Sequence, residues 1–304
     1  MGMERVLRHR GGELILGRGC LVMGILNATP DSFSDGGRFL DPSLAVGRAL
    51  EMLDEGAAII DIGGESTRPG APPVSAAEEA DRVVPVVEAL KRERPAAVVS
   101  VDTTKPEVAA AAIAAGADIL NDVRGASDGP PSGVAEVAAE SGAGLVLMHS
   151  RGTPETMGGL TTYGDVFREV RDALVSAARR AESLGVSGDS IVLDPGLGFA
   201  KDAAGSLELA ARAAELAETG YPVLVGHSRK SFIGWILDPD GPPPPEGRGW
   251  GTAAVTAWLA LEGVDIARVH NVAAAVDVVK TAEALRAAAG RRRPRWGGGS
   301  GLGI

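Results

Sequence analysis

Short runs of consecutive apolar residues alternate along the chain with longer stretches in which apolar residues recur at helical spacing. The runs occupy residues 21–26, 58–62, 97–101, 119–123, 145–148, 191–193, 223–225 and 266–269, which makes eight candidate strands. A segment with a period of about 3.6 residues follows each of them. Leu44, Leu50 and Leu53 precede Gly56 in this way, and Val83, Val86, Val87 and Leu90 precede Pro95. Pro106 suits the first turn of a helix, with Thr104 as its candidate cap.

Eight strand–helix units spaced roughly 35 residues apart match a (β/α)8 TIM barrel, whose ring takes about 250 residues. A doubly wound open sheet is the alternative. The distribution of polar residues favours the ring, because nearly every unit carries its polar residues just where the strand ends: Asn27, Glu65, Asp102, Asn121 and Asp122, His149, Asp194, His227 and Ser228, His270. A closed barrel gathers all strand ends at one mouth, whereas an open sheet gathers residues only at its switch point.

Residues 1–20 form an N-terminal segment in which Glu13-Leu14-Ile15-Leu16 reads as a strand, suggesting a short hairpin; residues 21–289 are the expected barrel. The stretch 238–249 holds four consecutive prolines and is expected as a surface excursion between the seventh and eighth units. Residues 290–304 read as a flexible C-terminal tail, its basic cluster Arg291–Arg293 a solvated terminus rather than a binding patch.

Composition narrows the function classes. A chain of 304 residues, 45% hydrophobic and 23% charged, can bury one large core. With 42 glycines and only 4% aromatics it suits helices packed closely on a sheet, although a compositional bias of the genome contributes to the same numbers. The net charge of −10 repels nucleic acid, so no nucleic-acid partner is expected, and an anionic ligand needs a local cationic cluster. Cys20 is the single cysteine, and the N-terminus lacks a leader pattern, which together point to a reducing cytoplasm. No run of about 18 apolar residues occurs, so no membrane span is expected.

Eight motifs then fall in order, one per strand end: MGILNATPDSFSDGG (23–37), DIGGESTRPG (61–70), SVDT (100–103), NDV (121–123), LMH (147–149), DPGLGFAK (194–201), GHSRKSFIG (226–234) and RVH (268–270). Together they resemble the successive motifs of the dihydropteroate synthases, over residues 21–280. Each block alone is weak; eight in register are specific. The resemblance implies a homodimeric enzyme of folate biosynthesis. Such an enzyme condenses 6-hydroxymethyl-7,8-dihydropterin pyrophosphate with p-aminobenzoate, uses Mg²⁺, and is a target of sulfonamides.

The residues support their own reading beside it. Asp102 and Asp194 end apolar runs, so each carboxylate sits in a low-dielectric mouth and needs a hydrogen-bonding or cationic partner, which a guanidine-like heterocycle supplies. A lone strand-end Asp is as often a helix cap. Asn121 offers donor and acceptor to the same ring edge, and Met148 and Phe199 can cover its face. Arg268 and His270 lie two apart on one strand and project the same way, next to Asn27 on the neighbouring strand of a closed ring. A diphosphate and a Mg²⁺ held by the Asn27 oxygen fit there, although a lone His270 would more often be structural.

The resemblance carries further assignments onto this chain. Gly226 and Lys230 join the pterin pocket. Lys230 also borders the p-aminobenzoate site with Ser231, while Ser228 approaches the anionic groups. Phe33, Thr67, Arg68 and Pro69 shape the p-aminobenzoate site from two long loops, 29–38 and 63–73. Thr67 also serves the pyrophosphate, and Asp35 is counted with Asp102, Asp194 and Lys230 as catalytic. A surface salt bridge is the favoured reading for Arg229. The expected mechanism is loss of pyrophosphate followed by amine attack, with no covalent nucleophile.

One position departs from the family pattern: Asn271 stands where an aspartate usually follows the histidine, which bears on how His270 is held. Three rivals remain. A silent paralogue would have eroded loop motifs. A methyltetrahydrofolate-dependent methyltransferase needs neither SRKSF nor STRPG. A barrel aldolase would use Lys230 as a Schiff base. GHSRK resembles a nucleophile elbow without its closing glycine.

Overall fold

A computed structural model describes residues 5–28, 42–66, 73–127 and 133–290. Its strands fall where the apolar runs predict them. After a hairpin of β1 (Arg5–His9) and β2 (Gly12–Leu16) come β3 (Leu21–Asn27), β4 (Ile59–Gly63), β5 (Val99–Asp102) and β6 (Ile119–Asp122). Then follow β7 (Gly144–Met148), β8 (Ile191–Asp194), β9 (Leu224–Gly226) and β10 (Ile266–Val269). β3 to β10 form one parallel sheet in the order β8-β7-β6-β5-β4-β3-β10-β9. Its two edges meet through a parallel bridge between Leu193 and Val223, and Leu193 N donates to Pro222 O over 2.9 Å. The sheet is therefore a barrel and not an open doubly wound sheet.

Helices α1 (Pro42–Asp54), α2 (Ala76–Glu93), α3 (Pro106–Ala115), α4 (Val134–Ser141), α5 (Val166–Ser183) and α6 (Ala203–Arg212) alternate with the strands, α7 (Ser231–Leu237) and α8 (Gly249–Glu262) both lie between β9 and β10, and α9 (Val272–Ala288) follows β10. Outward-facing strand residues such as Val22, Ile60, Val99 and Leu120 pack against them in one continuous core. A second core fills the barrel itself: Met23, Ile59, Ile119, Val146, Val192, Leu224 and Ile266, with Leu7 and Leu16 of the hairpin packed on it. The hairpin thus plugs the end of the barrel where the strands begin, and function is left to the other end.

Two local expectations are corrected. α1 buries Ala45, Val46, Ala49 and Met52 and packs Leu50 and Leu53 partly against the core, while Leu44 is 50% exposed, because it falls off the face that meets the sheet. α3 does begin at Pro106, but Lys105 is its cap residue and no side chain caps it; Thr103 Oγ1, rather than Thr104, accepts from Lys105 N over 3.2 Å. The proline-rich stretch lies on the surface between α7 and α8, ending in a 3₁₀ turn over Pro245–Arg248. Among the described residues no helix is long and apolar enough to cross a membrane.

Candidate active site

Side chains alternate along a strand, so the residue two beyond each apolar plug residue also faces inward, one layer nearer the mouth. That rule places Asp61 above Ile59, Asn121 above Ile119, Met148 above Val146, Asp194 above Val192, Gly226 above Leu224 and Arg268 above Ile266. Asp102 follows Ser100 in the same way on β5. Asp102, Asn121, Met148, Asp194, Phe199, Gly226, Lys230 and Arg268 line one enclosed hollow of about 20 Å³, together with Val123 and Gly196. All seven residues assigned to the heterocycle therefore meet in one place.

The hollow is lined by charged groups. Arg268 donates from Nε to Asp61 Oδ2 over 2.6 Å and from Nη2 to Asp102 Oδ2 over 2.8 Å, and Asn121 Nδ2 donates to Asp61 Oδ2 over 3.0 Å. Burial pushes the Asp102 carboxyl up to about 7; Arg268 opposes this, and the charges of Asp61, Glu79 and Asp122 reinforce it. Burial likewise raises Asp194, whose Oδ1 accepts from Gly196 N over 2.7 Å. Arg268 is driven further above its usual value, because the carboxylates around it outweigh its own burial.

On the opposite wall Lys230 donates from Nζ to Leu197 O over 2.6 Å and sits 4.1 Å from the centre of the Phe199 ring. Burial pulls its amine down to about 8 against the pull of Asp194. The segment bearing Phe199 is pinned from below by Lys201, a buried lysine whose Nζ donates to Phe199 O over 2.8 Å and to His149 O over 3.1 Å and lies 2.9 Å from His149 Nδ1. Only glycine fits at 196, since φ is +65° and a Cβ there would lie 2.0 Å from His149 O.

A second hollow of about 400 Å³ opens beside the first at the ends of β3 and β10, lined by Asn27, Arg48, Arg229, His270 and Asn271 among others. Here two residues of the expected anion site sit at different depths. Arg268 and His270 project the same way but do not act at one point: Arg268 lies a layer deeper, where Asp61 and Asp102 take its Nε and Nη2. His270 lies past the strand end, with Nδ1 2.9 Å from Ser228 Oγ. Arg229 makes no ion pair among the described residues and lines this cleft, so it is not a surface salt bridge. Asn271 Oδ1 accepts from Ala274 N over 3.2 Å and caps α9, a task the missing aspartate would also have filled.

Among the described residues no group of three or more His, Cys, Asp or Glu side chains could hold a metal ion. The cleft instead offers the amide oxygen of Asn27 beside cationic and imidazole groups. That donor set fits a Mg²⁺ carried largely by substrate phosphates.

Some strand-end residues serve other ends. His149 faces away from the barrel interior, and burial lowers its imidazole to about 3. His227 lies 2.7 Å from Thr256 Oγ1 and is lowered to about 4 by burial. Glu65 Oε2 accepts from Lys105 Nζ over 2.5 Å, and its Oε1 accepts from Val74 N over 3.1 Å. Phe33, Asp35, Thr67, Arg68 and Pro69 lie outside the described residues, as does nearly all of the segment 290–304. Sequence reasoning missed Asp61 and Lys201. Asp61 stands two residues after Ile59 in an apolar run, the spacing that marks Asp194 after Val192, and a buried Arg268 needed a counter-charge.

The chain matches the family described as "Pterin binding enzyme" over residues 23–270. It is 48% identical to a dihydropteroate synthase of Synechocystis sp. over 269 residues, 88% of this chain and 91% of that relative. Its fold superposes on a Yersinia pestis dihydropteroate synthase solved with a sulfonamide drug complex (TM-score 0.83, 41% identity, 93% of this chain and 99% of that one). A Xanthomonas albilineans dihydropteroate synthase solved with 4-aminobenzoic acid is equally similar (TM-score 0.84, 41% identity, 94% and 99%).

Proposed function

The chain belongs to the dihydropteroate synthases, pterin-binding transferases, and from that premise we propose how its own residues divide the labour. It condenses 6-hydroxymethyl-7,8-dihydropterin pyrophosphate with p-aminobenzoate to give 7,8-dihydropteroate and pyrophosphate, a step of folate biosynthesis, and sulfonamides inhibit it by competing with the amine. The observation that carries the residue-level reading is the meeting of Asp102, Asn121, Asp194, Lys230 and Arg268 in one enclosed hollow beside a cationic cleft.

The pterin takes the hollow, its donor edge against Asp102, Asn121 and Asp194, its faces against Met148 and Phe199. The hollow holds only about one water's volume, so Lys230 and Phe199, both partly exposed, give way as the ring arrives. The diphosphate lies in the cleft with Asn27, Arg229, His270 and Thr67, and Arg268 reaches it from the boundary with Nη1, which lies outside its carboxylate bonds. Asn27 would hold a Mg²⁺ brought with the substrate phosphates, which when bound would supply charge neutralisation to the leaving group.

The methylene C–O bond breaks with its electron pair leaving on pyrophosphate, and Asp102 and Asp194 stabilise the cationic pterin that remains. The arylamine nitrogen, held by Ser231, Lys230 and the residues Phe33, Thr67, Arg68 and Pro69, with Asp35 close by, forms the new C–N bond and releases a proton to solvent. Positional isotope exchange tests this order. With ¹⁸O in the bridging position and no p-aminobenzoate present, cleavage first predicts scrambling of the label; its retention until amine is added would point to direct displacement.

We also propose a homodimer. Trp235, Ile236 and Leu237 of α7 and Trp250 and Trp258 of α8 are all at least 46% exposed, large apolar side chains on two successive helices that a subunit interface would cover. A reducing cytoplasm suits a chain whose one cysteine, Cys20, is buried and in no disulfide.

A further inference from the structure

We propose that Asp61 is a positioning residue that fixes the guanidinium of Arg268 and the amide of Asn121 together, and so dictates which edge of a heterocycle the barrel accepts. The inference rests on the reading of the enclosed hollow as a pterin site, and it concerns a residue that lies below that hollow rather than on its wall. Asp61 is fully buried on β4. A single oxygen, Oδ2, accepts from Arg268 Nε and from Asn121 Nδ2, and Arg268 Nη2 lies 2.5 Å from it as an ion-pair contact.

A carboxylate cannot donate, so the atom that Asn121 turns toward it has to be nitrogen. The amide oxygen is thereby turned away from Asp61. With Asp102 and Asp194 on the same wall, the polar floor of the hollow becomes a row of acceptors. Such a row selects a ring edge made of donors, the amino and ring N–H groups of a 2-amino-4-oxo pterin, over one in which an oxygen replaces the amino group. Asp61 Oδ1 is buried with no hydrogen-bond donor, so the charge here is held at a cost that packing alone does not justify.

The same charge acts on Asp102. The groups facing that carboxyl are Arg268 from β10, which lowers it, and Asp61 from β4, Glu79 from α2 and Asp122 from β6, which raise it; Lys230 lies across the hollow. Removing the Asp61 charge relieves repulsion and leaves Arg268 to Asp102 alone, so Asp102 ionises at lower pH.

Calorimetric titration of wild type, Asp61→Asn and Asp61→Ser with 6-hydroxymethylpterin and with its 2-deamino, 2-oxo counterpart tests the idea, with kcat/KM measured against pH in parallel. The wild type binds the amino-bearing ring and discriminates against the oxo ring. In both variants that preference falls about tenfold, and the acid limb of kcat/KM moves to lower pH. A role in packing alone weakens both rings equally and leaves the limb in place, and that result overturns the inference. Asp61→Ser, smaller and still an acceptor, serves if Asp61→Asn does not fold. A wild type that binds neither ring overturns the reading of the hollow itself.

Discussion

Arg268 Nη2 donates to Asp102 Oδ2 over 2.8 Å, tying the last strand of the ring to the third across the inside of the barrel. This bond joins the group meant to hold a cationic ring to the arginine at the boundary with the cleft proposed for the diphosphate, so their ionisation is linked.

The linkage predicts a bell-shaped profile. The free-enzyme kcat/KM needs Asp102 as carboxylate and Lys230 as ammonium. Asp102 is raised to about 7, so activity falls as pH drops below that value; Lys230 is lowered to about 8, so activity falls again above it. Each limb should approach about tenfold per pH unit. Initial rates from about pH 5.5 to 9.5 check this, and a flat profile would contradict the assignment.

The plug at the far end predicts a separation of stability from activity. Leu7 is 1% exposed against the inner core, so Leu7→Ala should cost about 2–5 kcal/mol of unfolding free energy. Substrate KM values should stay put, because the hairpin lies at the opposite end from the site. Urea unfolding followed by circular dichroism, with KM measured on the folded variant, decides it.

Much of this was legible before any coordinates. The eight strands, their order and the inward Asp102, Asn121 and Asp194 follow from apolar runs that each end on a polar group. What the runs do not encode is depth. Strand stagger sets which layer a side chain reaches: Arg268 pairs with Met23 and Asp102 with Gly63, and this register brings Arg268 to Asp61 and Asp102 across the barrel. The left-out signal of Asp61 was hidden for the same reason, since a mid-strand acid in an apolar run acquires meaning only from what faces it. On α1 the periodicity locates Leu50 and Leu53 against the core but not Leu44, because Ala45, Val46 and Ala49 are what lies deepest against the sheet.

The metal assignment makes its own prediction. Chelation with EDTA should abolish turnover and Mg²⁺ should restore it, and Asn27→Ala should raise the Mg²⁺ concentration for half-maximal rate. Binding of a pterin that lacks the diphosphate should be unchanged, which calorimetry can verify. An unaltered Mg²⁺ requirement in the variant removes Asn27 from the metal site.

For the assembly, light scattering should give twice the mass of the 30.9 kDa chain. Trp250, 89% exposed, should matter to it: Trp250→Glu is expected to shift the population toward monomer with the fold intact. A wild type that is monomeric at micromolar concentration would refute the dimer.

The most direct test quantifies both products at once. Purified wild type and Asp194→Asn are incubated with 6-hydroxymethyl-7,8-dihydropterin pyrophosphate, p-aminobenzoate and Mg²⁺, and dihydropteroate and pyrophosphate are measured together. The wild type should release the two in equal amounts, and the variant, with an unchanged circular dichroism spectrum, should be slower by about 10²–10³. Substrate binding without product in the wild type, or near-normal turnover by the variant, would contradict the account.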